Sequence, residues 1–486
     1  MAQLVQLGGR TFALAGSSDE TPRSVPGGVL LPPGRVAILH GLGDASFYRH
    51  GQNSWSPTGW RPLSSPPLRI PSATRMVTAD DPAFDDPARH HGSAVAALQG
   101  SDGRTLLLGA LGLETPRLTA DQDTLAGWYA GSGDDWFLAY GDEATVFTAY
   151  TDQLAARYGG ARRRAGNVWC SWYAYYENIT ETRLTKDLAD LAGLPYDVVQ
   201  IDDGWEVAVG DWRPNAKFPS GMKALADRIT DAGFTPGLWL APFISPPDSP
   251  FLLRGPDGRP VIAGYNWGGP YYALDMARSD ARDHVAALIN TVVHEWGFRY
   301  LKIDFINAAA AGGPGREHVY REALELIRSV AGDDVYLLGS GALFLPSLGL
   351  LDGLRSGPDV APMWDNYASA DPSDATARNA VVNSIHRLWW SPLVEVDPDV
   401  VYFRGKLNLL TPQQTQWLRD LADICGFRAV SDPPSWLTTD ELSTLRDYLS
   451  ARPAIRQLSR YRYLIDGRET DFTAAVAGGG QAYPIS

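Results

Sequence analysis

From Asn167 onward, short apolar stretches alternate with amphipathic helical ones for about 280 residues, and this alternation constrains the chain more than any other feature. The helical faces are legible in the spacing of apolar residues. Leu184, Leu188 and Leu191 share a face, as do Met222, Leu225, Ala226 and Ile229, and Val285, Leu288, Ile289 and Val292. Thr411-Pro412 supplies a helix cap followed by proline at the first helical position, and Thr438 with Glu441 fits a capping box. Eight candidate strands lie among the helices: Val168–Tyr173, Val198–Ile201, Gly237–Ala241, Tyr300–Phe305, Val335–Leu338, Leu351–Arg355, a segment near Leu388–Leu393, and Arg428–Val430. Repeated strand–helix units with no tight hairpins between the strands predict a (β/α)8 barrel over residues 167–450.

The preceding 166 residues read differently. Short strands are separated by turn clusters, as in Ala96-Ala-Leu98, Gly100-Ser-Asp-Gly103 and Thr105–Leu108, with similar turns at Gly131–Asp135 and Gly141-Asp142 and no clear helical periodicity. An antiparallel β-sandwich is expected over residues 1–166, and a short C-terminal β segment or tail over 451–486, which ends in an Ala-Gly-Gly-Gly stretch and its last residues.

Composition narrows the function classes. Forty-two Lys and Arg against 56 Asp and Glu give a net charge of -14, which repels phosphate backbones and anionic lipid, so neither nucleic acid nor a membrane is an expected partner. Two cysteines cannot form a disulfide framework, and the first residues lack a basic segment followed by an apolar core, so the expected location is cytoplasmic. Sixteen Trp, 21 Tyr and 15 Phe exceed what core filling demands and suit a ligand, such as a sugar, that has flat apolar faces and polar edges.

Several catalytic signatures are missing. Gly405-Lys406 lacks the glycine spacing and the Ser/Thr of a phosphate-binding loop, and no Gly-x-Ser-x-Gly elbow occurs. Gly339-Ser-Gly341 starts a dinucleotide-like pattern that Phe344 interrupts, His294-Glu295 has no second helical histidine, and the histidines show no metal-ligand spacing. Asn178-Ile-Thr180 matches a glycosylation acceptor, but Thr180 reads better as a helix cap. No metal or organic cofactor is implied.

Carboxylates at strand ends remain, where a barrel of this kind carries its chemistry. In Tyr300–Phe305 the alternation sets Lys302 and Asp304 on one side and Leu301 and Ile303 on the other, so an ammonium sits beside a carboxylate and favours its charged form. Val198–Trp205 ends in Asp202, Asp203, Gly204 and Trp205, two acceptors beside an aromatic face, which fits adjacent sugar hydroxyls or an ordinary turn. A strand ending at Arg355 is followed by a Gly-Pro bend that presents Asp359, and Trp239 either lines the mouth or fills the interior.

These segments, in this order, resemble the melibiases, the α-galactosidases of glycoside hydrolase family thirty-six: Val168–Tyr173, Gln200–Trp205, Gly210-Asp-Trp212, Lys217-Phe-Pro219, Gly237–Phe243, Lys302-Ile-Asp304 and Arg355–Asp359. The likeness runs from about Val168 to Asp432, and Gly51–Ser56 looks like the family's sandwich segment over the site, where Trp55 would border the sugar. The resemblance implies a retaining exo-glycosidase acting on terminal α-D-galactosides of oligosaccharides, with Asp304 as nucleophile and Asp359 as acid/base. It further implies that Asp202 and Asp203 hold the sugar's 4- and 6-hydroxyls, Lys302 and Arg355 other ring hydroxyls, and Trp239 its apolar face, with Trp205 adjoining. Many members carry a cysteine in the loop after the fifth strand, where this chain has Leu338-Gly-Ser-Gly-Ala342, with Ser340 nearest that place. Three alternatives stay open: an α-N-acetylgalactosaminidase, a transglycosylase of the raffinose-synthase kind, and a carbohydrate-binding barrel without catalysis. The residues set neither the aglycone nor the oligomeric state.

Overall fold

The computed structural model describes residues 3–15, 21–84, 86–313, 315–366, 368 and 371–477. The last residues of the C-terminal segment, 478–486 with its whole glycine run, lie outside them.

Nine parallel strands form the central sheet, in the spatial order Glu395–Asp397, Gly353–Arg355, Tyr336–Gly339, Tyr300–Ile303, Thr235–Leu240, Val198–Ile201, Asn167–Cys170, Arg428–Val430 and Val400–Val401. Most are four residues or shorter and wholly buried, so an apolar run rather than an alternating one specifies them. Helices follow the strands, among them Glu181–Leu191, Gly221–Asp231, Ser279–Asn290, Arg316–Ala331, Ala377–Ile385, Pro412–Cys425 and Thr439–Ser450. The apolar stripes read from sequence are the buried faces of the first three. The expected capping box of Thr438 with Glu441 forms, the Thr411 cap proves to be a second box closed by Gln414, and the Thr180 hydroxyl accepts from Arg183 N.

The seventh strand is not where the apolar run near Leu388 suggested. Leu388–Trp390 is a single turn of 3-10 helix, and Trp389 packs outward against His50, Phe147, Tyr150 and Phe344. The strand itself is Glu395–Asp397, whose carboxylates are paired with Tyr336 and Arg355, and it resumes at Val400–Val401 after Pro398 and Asp399. Its two pieces are the two ends of the nine-strand sheet.

Two antiparallel sheets precede this one, six strands ordered from Gln3–Leu7 to His90–Ser93 and seven from Arg23–Val25 to Gly59–Pro62. The expected hairpin is present, with Leu98 opposite Leu106 and Ala97 opposite Leu107. A helix the periodicity did not reveal, Glu143–Tyr158, starts at an Asp142 cap, and Tyr150 donates from its hydroxyl to Ala110 O at 2.8 Å. The C-terminal segment forms a three-stranded antiparallel sheet, Ile455–Ser459, Arg462–Ile465 and Arg468–Asp471, and a short helix, Thr473–Ala477. No helix among the described residues is long and apolar enough to cross a membrane.

Arg387 joins the N-terminal sheets to the parallel one. It is fully buried, and its guanidinium donates to the backbone carbonyls of Asn53, Ser54, Ser56 and Ser356 at 2.7–3.3 Å. Burial with no carboxylate bonded to it pushes its pKa down to about 9. Nearby, Thr58 N donates to Asn383 Oδ1 at 2.8 Å and Gly341 N to Ser54 Oγ at 3.0 Å.

Candidate active site

Parallel pairing brings the C-terminal ends of the strands to one rim. Trp239 pairs with Lys302, Lys302 with Leu338, and Ile303 with Gly339, so Trp239, Asp304 and Ser340 emerge side by side. Asp202 follows the second strand, and Arg355 closes the sixth.

Asp304 is buried at the end of its strand. Trp239 Nε1 donates to its Oδ2 at 3.1 Å and Phe305 N to its Oδ1 at 2.8 Å. Lys302 lies 4.0 Å from Asp304, but its closest partner is Asp202, at 2.8 Å. Lys302, expected beside Asp304, thus stands between two carboxylates. The Asp202 charge raises the Lys302 pKa against the opposing pull of burial. Gln200 Nε2 at 2.7 Å and Cys170 Sγ at 3.4 Å complete the shell on the same oxygen of Asp202, while Oδ1 accepts from Asp203 N.

Asp203 accepts from Trp267 Nε1 at 2.9 Å and shares a hydrogen bond with Glu206. Burial first, and then the neighbouring Glu206, push its pKa well up, so this carboxyl pair retains a proton. Trp267 and Tyr271 belong to the hairpin Ile262–Asn266 with Gly269–Ala273, which the sequence reading did not flag. Its Tyr-Asn-Trp-Gly-Gly turn, rich in aromatics and glycine, was the available signal.

Phe305, in the left-handed region at φ 50°, packs against Trp267, Tyr271 and Trp55. Trp55 stacks on it with centroids 5.4 Å apart and comes from the N-terminal part, so that part supplies one wall of the site. Gly341, at φ 69°, faces the same indole, and a Cβ there would lie 2.3 Å from Trp55 Cζ3. Ser340 is buried in that loop, and its hydroxyl has no hydrogen-bond partner among the described residues.

Asp359, with its side chain 35% exposed, accepts from Arg355 NH1 at 3.0 Å. Loss of solvation pushes its pKa up to about 6, with Asp399 and Asp304 adding to the rise and Arg355 and Lys302 opposing it. Arg355, expected to meet a ring hydroxyl, also serves two carboxylates behind the rim. Its Nε donates to Asp397 at 2.8 Å and its NH1 lies 2.9 Å from Asp399. Trp205 is also turned inward: it is fully buried, donates to Trp239 O at 3.0 Å, and packs among Trp212 and Trp296. It fills interior space and has no face open to a ligand. No group of three His, Cys, Asp or Glu among the described residues could hold a metal ion.

The fold has counterparts in known proteins. A family model described as Melibiase matches residues 147–326. An α-galactosidase from Thermus thermophilus, solved with p-nitrophenyl α-D-galactopyranoside, is 43% identical and superposes with a TM-score of 0.92, covering 98% of this chain and all of that one. The α-galactosidase AgaA of Geobacillus stearothermophilus is 29% identical over 260 residues, which are 49% of this chain and 34% of AgaA. Its solved structure shares the fold at a TM-score of 0.58 and 16% identity, over 86% of this chain and 63% of that one. A probable α-galactosidase G of Aspergillus terreus is 30% identical over 43% of this chain and 31% of its own length. The chain thus spans about a third of the length of these two curated relatives.

Proposed function

The chain belongs to the α-galactosidase family of the melibiase type, a family of glycoside hydrolases, and from that premise we propose that it releases terminal α-D-galactose from oligosaccharides by double displacement. The observation that carries the proposal is the pairing of Asp304, a buried strand-end carboxylate held by Trp239 N–H, with Asp359, whose pKa is pushed up to about 6. A carboxyl whose proton affinity is raised, set at the same rim as a second, hydrogen-bonded carboxyl, is what an acid and a nucleophile require.

We read the parallel sheet as a (β/α)8 barrel whose seventh strand is interrupted at Pro398 and Asp399, preceded by a sandwich domain over 1–166 and followed by a small β unit from 451. In the first step Asp304 attacks the anomeric carbon while Asp359 passes its proton to the departing glycosidic oxygen. That step leaves a galactosyl ester on Asp304. Its formation removes one of the negative charges that raise Asp359, so Asp359 stays deprotonated and takes a proton from the water that cleaves the ester. Asp202 and the proton-holding Asp203 offer acceptor and donor capacity to sugar hydroxyls, Lys302 orients Asp202, and Trp55 with Phe305 supplies an apolar wall.

The test uses p-nitrophenyl α-D-galactopyranoside with azide as an external nucleophile. Asp304→Ala should lose about three or more orders of magnitude in turnover, and azide should yield the β-galactosyl azide. Asp359→Ala should keep part of the first step, because p-nitrophenolate leaves without a proton, and azide should yield the α-galactosyl azide. Near-wild-type turnover in Asp304→Ala would end the proposal. Faster turnover of the N-acetylgalactosaminide, or transfer products with an added sugar acceptor, would redirect it to the rival activities.

A further inference from the structure

Asp399 sits in the gap of the seventh strand, at φ 79°, a left-handed conformation that asparagine and aspartate tolerate better than other side chains bearing a Cβ. It is 2% exposed. Its Oδ2 accepts from the Tyr173 hydroxyl beyond the first strand, lies 2.9 Å from Arg355 NH1 on the sixth, and accepts from Val360 N at 2.8 Å. Its Oδ1 takes Val400 N at 2.8 Å, and its own N–H is held by Asp397 Oδ1 at 2.7 Å. Val360 is the residue directly after Asp359, so the carboxylate of Asp399 clamps the peptide that carries the proposed acid/base.

A single guanidinium 3.0 Å from Asp359 would favour the anion and strip the proton that a general acid must keep. Here the same guanidinium also serves two fully buried carboxylates, Asp397 and Asp399. Arg355 can therefore orient Asp359 while much of its charge is answered elsewhere. The charged and titratable groups that bear on Asp359 are Arg355 on its own strand, Asp399 from the seventh, Lys302 and Asp304 from the fourth, and Tyr173 and Tyr176 beyond the first. Those bearing on Asp399 are Arg355, Asp397, Asp359, Lys302, Tyr173, Tyr402 and Cys170.

We propose that Asp399 is the positioning residue of the acid/base: it fixes the Asp359–Val360 peptide and, by sharing Arg355, lets that arginine orient Asp359 without depriving it of its proton. This rests on the reading of Asp359 as the general acid. Asp399 touches no reacting atom and acts only through Asp359 and Arg355.

The experiment is the pH profile of kcat/KM for the full chain on methyl α-D-galactopyranoside, whose methoxide, unlike p-nitrophenolate, cannot leave without the acid's proton. Asp399→Asn keeps the side-chain shape, an acceptor for Val360 N and tolerance of the left-handed backbone, but removes the charge. Removing a negative neighbour and freeing Arg355 both lower the Asp359 pKa, so the alkaline limb should move toward acid by about one pH unit, a roughly tenfold loss above the limb. Tyr173→Phe removes one donor from Asp399 and so favours its protonated form, which withdraws part of the negative charge beside Asp359 and Arg355, and it should move the limb the same way by less. It also provides the answer if Asp399→Asn fails to fold. An alkaline limb at the wild-type position in these variants, with activity lowered equally at every pH, would reduce Asp399 to a structural role and overturn the proposal. If instead Asp359→Asn retained the wild-type limb, the acid/base assignment itself would fall and take this inference with it.

Discussion

The Lys302–Asp202 pair lies beneath the rim, and its removal has a calculable cost. The two side chains are 6% and 3% exposed, with nitrogen and oxygen 2.8 Å apart. In Lys302→Met, Asp202 keeps Gln200, Cys170 and the Asp203 N–H but loses the cation that pairs with it, and an uncompensated buried charge of this kind costs ~3–5 kcal/mol. Asp202→Asn leaves the ammonium with Asp304 at 4.0 Å, so its cost should fall at the lower end of that range. The double variant removes both charges, and because the partners touch, its cost should fall short of the sum of the singles by about 1–3 kcal/mol. Urea unfolding followed by tryptophan fluorescence measures all four proteins. Single variants that each cost less than ~1 kcal/mol and add up in the double would show that the pair behaves like a solvent-screened surface contact, and the account of a buried pair would be refuted.

Two further substitutions test other parts of the fold. Glu395, with its side chain 1% exposed, accepts from Tyr336 OH and Ala165 N, yet burial pushes its pKa up to about 7. The folded state therefore binds a proton more tightly than the unfolded chain, and stability falls as pH rises from about 4.5 through 7. Glu395→Gln abolishes that loss, so its Tm relative to wild type should rise between pH 5 and pH 8, by an amount worth up to roughly 3 kcal/mol; a pH-independent difference would count against it. Gly341→Ala places a Cβ 2.3 Å from Trp55 at φ 69°, which should cost ~1–3 kcal/mol from overpacking and strain. It should also raise KM for the aryl galactoside more than it lowers kcat, because Trp55 is displaced from Phe305; an unchanged KM would remove Trp55 from the sugar wall.

Much of the fold was legible because local rules and tertiary packing agree over long stretches. The stripe Leu184, Leu188, Leu191 is buried as its spacing demands, the Thr411 cap precedes its proline, and the capping box at Thr438 closes as written. The strand-end carboxylates were visible because an apolar strand that stops at an aspartate leaves few other places for it. What stayed hidden depends on partners distant in sequence. Leu388-Trp-Trp390 is as apolar as a strand, but its aromatics serve the contact with the N-terminal sheets, while the true strand carries Glu395 and Asp397, whose carboxylates are met by Tyr336, Ala165 N and Arg355 from far along the chain. The inward turn of Trp205 and the threefold engagement of Arg355 follow from the same cause: no local spacing announces that an indole will pack on Trp212 or that three aspartates will converge on one guanidinium.

Arg387 bears on how such a molecule can change. It ties Ser356, beside the sixth strand, to the Asn53–Ser56 turn that presents Trp55 to Phe305. Four carbonyls from both halves share one guanidinium, so the wall of the site and its carboxylates are set by a common fastener. Exchanging the N-terminal sheets for those of another protein would preserve every rim carboxylate and still leave the pocket open on one side, with a buried cation facing carbonyls that no longer match. Inheritance of this site therefore acts on the two halves together, and a lineage that reshapes one must carry the turn at Asn53 along with it.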